Sequence, residues 1–192
     1  MSANVKIFLG VIVLLVAGVV LSVVLGVGPG GVSPTSTKYD AFATCLKDQG
    51  AVFYGAWWCP HCKSQKALFG SSQKLLSYVE CSNPEGNTQT PACNDKKIES
   101  YPTWEFPTPI KITSSQEPAV CEKTPGVTGE SPSCKKSRSP NFKAWIFPDA
   151  MIASDTDPVR AGDEWSFAPG SQLRGEVSLE ELGKQTSCIL PE

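Results

Sequence analysis

Cys59 and Cys62 are separated by Pro60 and His61, the only histidine in the chain. Two cysteines at this spacing can close a small disulfide ring, and the same sulfurs can also bind zinc. A structural zinc site takes four protein ligands. With a single histidine and no second Cys-x-x-Cys pair in the sequence, zinc has little to draw on, and no metal is expected. The spacing alone is ambiguous; the shortage of zinc ligands and the strand-to-helix context point to thiol–disulfide exchange, with an inert structural disulfide as the competing reading. Exchange runs through a thiolate, so its rate depends on the acidity and access of the attacking sulfur. Cys59 is the expected nucleophile, and exposed. Cys62, one turn further on, is expected to resolve the mixed disulfide. The redox-active Cys59–Cys62 disulfide is the whole of the expected reactive equipment, with no other cofactor.

The elements around the pair must place the first sulfur at a helix start. Residues 51–56, Ala-Val-Phe-Tyr-Gly-Ala, read as a short buried strand, and residues 62–69 read as a helix stopped by Gly70. A helix opening at the motif aims its free N–H groups and the positive end of its dipole at Cys59, which favours thiolate over thiol. Pro60 suits the first turn, where its missing N–H is no loss. His61, when protonated, adds a second positive influence beside the same sulfur. Upstream, Tyr39, Phe42, Ala43 and Leu46 follow a helical period. Downstream come a strand over 75–81, a helix over 92–99, a strand over 101–106 and a strand over 173–177. Ser178 and Glu181 form a capping box that starts the last helix. The order α-β-α-β-α-β-β-α predicts an α/β domain with a central mixed sheet and helices on both faces.

Cys59-Pro60-His61-Cys62 at a strand-to-helix junction, followed by Tyr101-Pro102-Thr103 at the head of a later strand, resembles the thioredoxin superfamily. The match becomes closer when residues 54–62, 65–70, 78–81, 101–105 and 175–182 are taken in order. They look like the thioredoxin-like domain that bacteria fuse to vitamin K epoxide reductase homologues. The resemblance covers roughly residues 39–106 and 172–188. It implies a thioredoxin-like fold and a Pro102 that is cis and lies against the motif, with the backbone of Tyr101 pairing with substrate. Pro-His is the dipeptide that disulfide-donating members carry, so resemblance points to an oxidant. Reducing thioredoxins have a buried Asp six residues before the first motif cysteine, where this chain has Phe53. The chain departs from the fusion proteins in lacking their multi-helix quinone-reducing domain, so the implied re-oxidant is a separate vitamin K epoxide reductase-like membrane protein. It also departs in a long insertion, residues 107–171.

Trp57 and Trp58 precede the motif, and side chains alternate along a strand end. One is expected in the core and the other, Trp58, on the substrate-facing rim. Six further cysteines allow fifteen pairings. Proximity favours Cys81–Cys93 and Cys121–Cys134, and elimination leaves Cys45–Cys188. All three read as structural staples, with Cys81–Cys93 open to a second reading as a redox relay to the motif. The insertion is rich in Pro, Ser, Thr and Lys, with aromatic islands at 142–147 and 165–167. It predicts two extra strands, a hairpin extending the sheet, starting at the pole away from Pro102.

The 192 residues, 41% hydrophobic, leave room for one domain with a real core. A net charge of −2 provides no basic surplus for nucleic acid. From Ile7 to Val27 no charged residue occurs, and these residues, as a helix rising 1.5 Å each, match a hydrocarbon core of roughly 30 Å. Residues 1–27 are therefore expected as an uncleaved signal anchor, in preference to a cleaved signal peptide. Residues 28–37 are the expected linker and 38–192 the folded domain. Lys6 on the short side places the N-terminus in the cytoplasm. Eight cysteines fit an oxidising, extracytoplasmic setting on a single-pass cell-membrane anchor. The expected partners are the membrane, thiols and disulfides of exported proteins and the membrane oxidase. A reductase or isomerase, and a non-catalytic disulfide-stapled binding module, are the alternatives.

Overall fold

The computed structural model describes residues 37–123 and 142–192. The expected anchor over 1–27, nearly all of the linker, and Cys134 lie outside the described residues. Among the described residues no helix is long and apolar enough to cross a membrane.

In chain order the elements are α1 (Asp40–Asp48), β1 (Val52–Gly55), α2 (Pro60–Leu68), a 3-10 turn (Gly70–Leu75), β2 (Tyr78–Glu80), α3 (Pro91–Asp95) and β3 (Thr103–Glu105). Six strands of the insertion follow: β4 (Ile110–Thr113), β5 (Ala119–Lys123), β6 (Phe142–Ile146), β7 (Met151–Ala153), β8 (Val159–Ala161) and β9 (Glu164–Phe167). The chain closes with β10 (Gln172–Arg174) and α4 (Leu179–Thr186). A seven-stranded mixed sheet runs β2-β1-β3-β10-β7-β6-β5, and a three-stranded sheet runs β4-β9-β8. Among the described residues only β1 and β2 pair in parallel; the other pairs are antiparallel.

Alternation along β1 sorts the core. Phe53 joins the main cluster with Phe42 of α1, Phe69 after α2, Trp104 of β3 and Leu182 of α4. Tyr54 faces the other way, into a smaller cluster with Cys81, Cys93 and Ile98 beside α3. Helices thus cover both faces of the central mixed sheet, an arrangement that fits a thioredoxin-like fold. Phe53 stacks on Trp104 at 4.8 Å and Trp104 on Phe106 at 6.5 Å, and all three side chains are fully buried. Each contributes about 1.5–3 kcal/mol by leaving water.

The helix expected over 92–99 stops at Asp95, because Lys97 turns left-handed at φ 53°. The strand expected over 75–81 starts only at Tyr78, since Gly70–Leu75 winds into the 3-10 turn. The strand expected over 173–177 ends at Arg174, where Gly175 takes φ 96°, a value that glycine adopts without strain.

The insertion differs most from expectation, with six strands where two were expected. β7, β6 and β5 extend the main sheet beyond β10, while β4, β9 and β8 form the second sheet. Trp145 and Phe147 from the extension meet Phe167 and Trp165 from the second sheet at 5.4 and 5.8 Å, so one core runs through both parts. Gln185 of α4 ties the second sheet down. Its side chain accepts from Lys111 N at 3.0 Å and donates to Lys111 O at 2.6 Å, filling the edge of β4 as a neighbouring strand would. The insertion leaves β3 at the pole away from Pro102, where Pro107 crowds Gly50. It then returns: Met151 pairs with Arg174 and Arg174 with Thr103, so the β6–β7 turn lies at the motif pole.

Candidate active site

Cys59 is the N-cap of α2, with Pro60 in the first helical turn. β1 ends at Gly55, and Ala56, Trp57 and Trp58 lead into the cap, so the strand carries the motif to the edge of the sheet. Both motif sulfurs are free thiols here, and both are buried, Cys59 at 5% and Cys62 at 1% exposure. Burial of Cys59 corrects the expectation of an exposed nucleophile. Its Sγ lies 3.6 Å from the carbonyl oxygen of Tyr101, a segment that the chain delivers from 42 residues further on. The Tyr101–Pro102 bond is cis.

Burial also sets the acidity of Cys62, whose thiol is pushed up to about 12. Loss of water is the largest cause, with a hydrogen bond to and the charge of Cys59 adding to it, and the Ala56 backbone and Lys66 opposing.

Trp57 and Trp58 are both half exposed, at 50% and 44%, which corrects the expectation that one of them enters the core. Their indole N–H groups are satisfied within the protein: Trp57 donates to Asn83 O at 3.2 Å and Trp58 to Ser82 Oγ at 2.8 Å. Trp58 meets Tyr101 edge-on at 6.0 Å. Gly86 lies against both indoles: a Cβ there would be 3.4 Å from Trp57 Cζ2 and 3.4 Å from Trp58 Cδ1. The 82–90 loop that props them is organised by Asn83, whose Oδ1 accepts from Asn87 N and Thr88 N.

His61 lies 2.6 Å from Glu176 through Nδ1 and Oε1, both side chains largely exposed. Sequence reading missed Glu176, which is 115 residues away. It also missed Gln65, fully buried on α2. Gln65 donates to Val177 O at 2.9 Å and accepts from Val177 N at 2.7 Å, fixing the 176–178 segment beside the motif helix. The signal lay in the i+3 spacing from Cys62, which puts Gln65 near the motif's own face.

Beneath the motif, Tyr78 donates to Glu80 at 2.7 Å, and Glu80 also accepts from Trp57 N at 3.1 Å and Ser82 N at 3.0 Å. Lys66 places its ammonium 3.3 Å from the centre of the Tyr78 ring.

Cys45 and Cys188 form a disulfide with Cα atoms 5.9 Å apart, as do Cys81 and Cys93 at 5.5 Å. Cys121 is disulfide-bonded, and Cys134 lies outside the described residues. The motif region gathers Cys59, Cys62, Pro60, His61, Trp58, Tyr101 and Pro102 at one pole; the Cys45–Cys188 bridge ties α1 to the chain just past α4.

No family model matches the chain. A stretch of 78 residues is 44% identical to the thiol-disulfide oxidoreductase LTO1 of Arabidopsis thaliana, covering 38% of this chain and 21% of the plant protein. The chain thus matches about a fifth of that relative's length. That relative is named as a thiol-disulfide oxidoreductase, the class of chemistry that a Cys-x-x-Cys dithiol at a helix start can perform.

Proposed function

We propose that the chain is a protein thiol–disulfide oxidoreductase that donates disulfides to exported proteins through its Cys59-Pro60-His61-Cys62 motif. The observation that carries this reading is the dithiol at the N-terminus of α2, with the Tyr101 carbonyl in contact with Cys59. In the donating cycle a substrate thiolate attacks Cys59 Sγ of the motif disulfide. The Cys59–Cys62 bond breaks, and Cys62 leaves with the electron pair and takes up a proton. A second substrate thiolate then attacks the substrate sulfur of the mixed disulfide, and Cys59 departs as thiolate. The substrate is oxidised by two electrons and the motif is reduced.

Several parts favour this direction. Cys59 caps the N-terminus of α2 and is followed by Pro60-His61, the dipeptide carried by disulfide-donating members of the superfamily that the chain resembles. Phe53 leaves β1 without a buried acid. Pro102 and Tyr101 would line up substrate backbone at the motif, and Trp58 would form the rim. Re-oxidation would fall to a vitamin K epoxide reductase-like membrane protein, and residues 1–27 would anchor the domain on the extracytoplasmic face of the cell membrane.

Thiol labelling across a series of redox buffers tests the reading. A disulfide donor titrates near roughly −120 mV, a thioredoxin-like reductant near about −270 mV and an inert staple below about −300 mV. A midpoint in the last range would rule out catalysis by the motif.

A further inference from the structure

Cys62 has to gain a proton each time the motif disulfide opens, and β1 offers no acid to give one: Phe53 is apolar and fully buried. The charged groups near Cys62 come from elsewhere. Lys66 is four residues on along α2, so both side chains share one helix face. Tyr78 and Glu80 come from β2, which pairs with β1 so that Phe53 faces Tyr78 and Gly55 faces Glu80. Gly55 shows how closely these groups meet. A Cβ there would lie 2.9 Å from Cys62 Sγ, 3.0 Å from Tyr78 Cε2 and 3.4 Å from the Tyr78 hydroxyl. The sulfur and the phenol thus fill the space over one residue that has no side chain. Lys66 lies on the face of that same ring.

We infer that Lys66 is the proton donor to Cys62: its ammonium hands a proton to the departing sulfur when the disulfide opens. This rests on the exchange reading of the motif. As the substrate thiolate bonds to Cys59 and the Cys59–Cys62 bond breaks, the electron pair goes to Cys62 and the proton follows from Lys66 Nζ. The neutral amine, only partly buried, recovers its proton from solvent.

The other groups facing the sulfur are less suited. Tyr78 has its hydroxyl engaged by Glu80, and burial together with that carboxylate raises its pKa above the usual phenol range, making it a poor donor. Glu80 already accepts from Tyr78, Trp57 and Ser82, and its charge acts on Lys66. Cys59 is the partner sulfur itself. Burial moves Lys66 below the ordinary lysine value while it pushes the Cys62 thiol up to about 12, so transfer from ammonium to thiolate runs downhill.

The test is the rate at which dithiothreitol reduces the oxidised motif near neutral pH, in parent, Lys66→Met and Lys66→Arg. Methionine keeps the apolar stem without the proton; arginine keeps the charge but does not give its proton up. Both variants should be slowed about 100-fold, the scale of general acid catalysis, with melting temperatures near that of the parent. If either variant keeps the parent's rate, Lys66 is not the donor. A parent that exchanges with dithiothreitol yet cannot oxidise a reduced protein substrate would defeat the disulfide-donor reading alone, because the Lys66 comparison would still be decided.

Discussion

Gln65 holds Val177 by both of its backbone groups, across 112 residues of sequence and with the amide fully buried. The clamp joins the motif helix to the segment that carries Glu176, so it couples fold stability to the surroundings of His61. Gln65→Leu keeps the approximate volume but leaves an N–H and a carbonyl buried without partners. Each such group costs about 1–3 kcal/mol. The variant should lose about 2–6 kcal/mol in chemical denaturation, and a loss under 1 kcal/mol would show that water replaces the clamp.

Exchange should divide between the two motif cysteines. Cys59→Ser is expected to abolish it, whereas Cys62→Ser should trap mixed disulfides, visible as adducts on non-reducing gels. Capture by Cys59→Ser alone would reverse the assigned roles.

Phe53→Asp tests whether the missing acid can be restored. In this chain Phe53 is fully buried, stacked on Trp104 at 4.8 Å and edge-on to Tyr78 at 5.2 Å. Removing that ring and burying a carboxyl should cost about 3–5 kcal/mol or more. The expected outcome is a thermally labile protein, and a stable variant with a thioredoxin-like potential would contradict it.

The Cys81–Cys93 bridge separates scaffold from relay. Both residues are fully buried between β2 and α3, and closing a loop of this size is worth about 3 kcal/mol. The double variant Cys81→Ala, Cys93→Ala should melt about 6–12 °C lower, given about 2–4 °C per kcal/mol at this chain length. Single-turnover exchange with a small dithiol should persist. Little change in melting, with turnover by the membrane oxidase lost, would instead mark a relay.

Alkaline pH should destabilise the reduced protein selectively. The Cys62 thiol rises from 9.0 to about 12 on folding, so folding favours its protonated form. That stabilisation is complete below pH about 9 and is lost as pH climbs towards about 12, because the unfolded chain releases its proton first. The oxidised protein has no Cys62 proton to lose. The gap in melting temperature between the reduced and oxidised forms should therefore shift against the reduced form from pH 8 to 11, and a constant gap would contradict the burial argument.

The local parts of the fold were legible because their signals are local. Ser178 accepts from Glu181 N at 3.1 Å, the contact that its spacing predicted, and Phe42, Ala43 and Leu46 are buried as their period implied. Pro60 in the first turn of α2 was equally readable. What escaped depends on distant partners. His61 meets Glu176 across 115 residues, an approach that no sequence window contains, whereas the Tyr101–Pro102 segment beside Cys59 was implied only by the family resemblance. Within the insertion, β4 and β9 alternate between buried and exposed positions, but other strands do not. β8 is exposed at all three positions, so it is set by pairing with β9 rather than by a buried face.

The bridge from Cys45 to Cys188 spans 143 positions and makes the domain a closed loop in the topological sense. Everything from β1 to α4, including the insertion, lies inside that loop. One proteolytic cut between those cysteines would therefore open the loop without releasing a fragment, until a reductant reached the bridge. A cut within the insertion would leave the two halves joined and the motif attached.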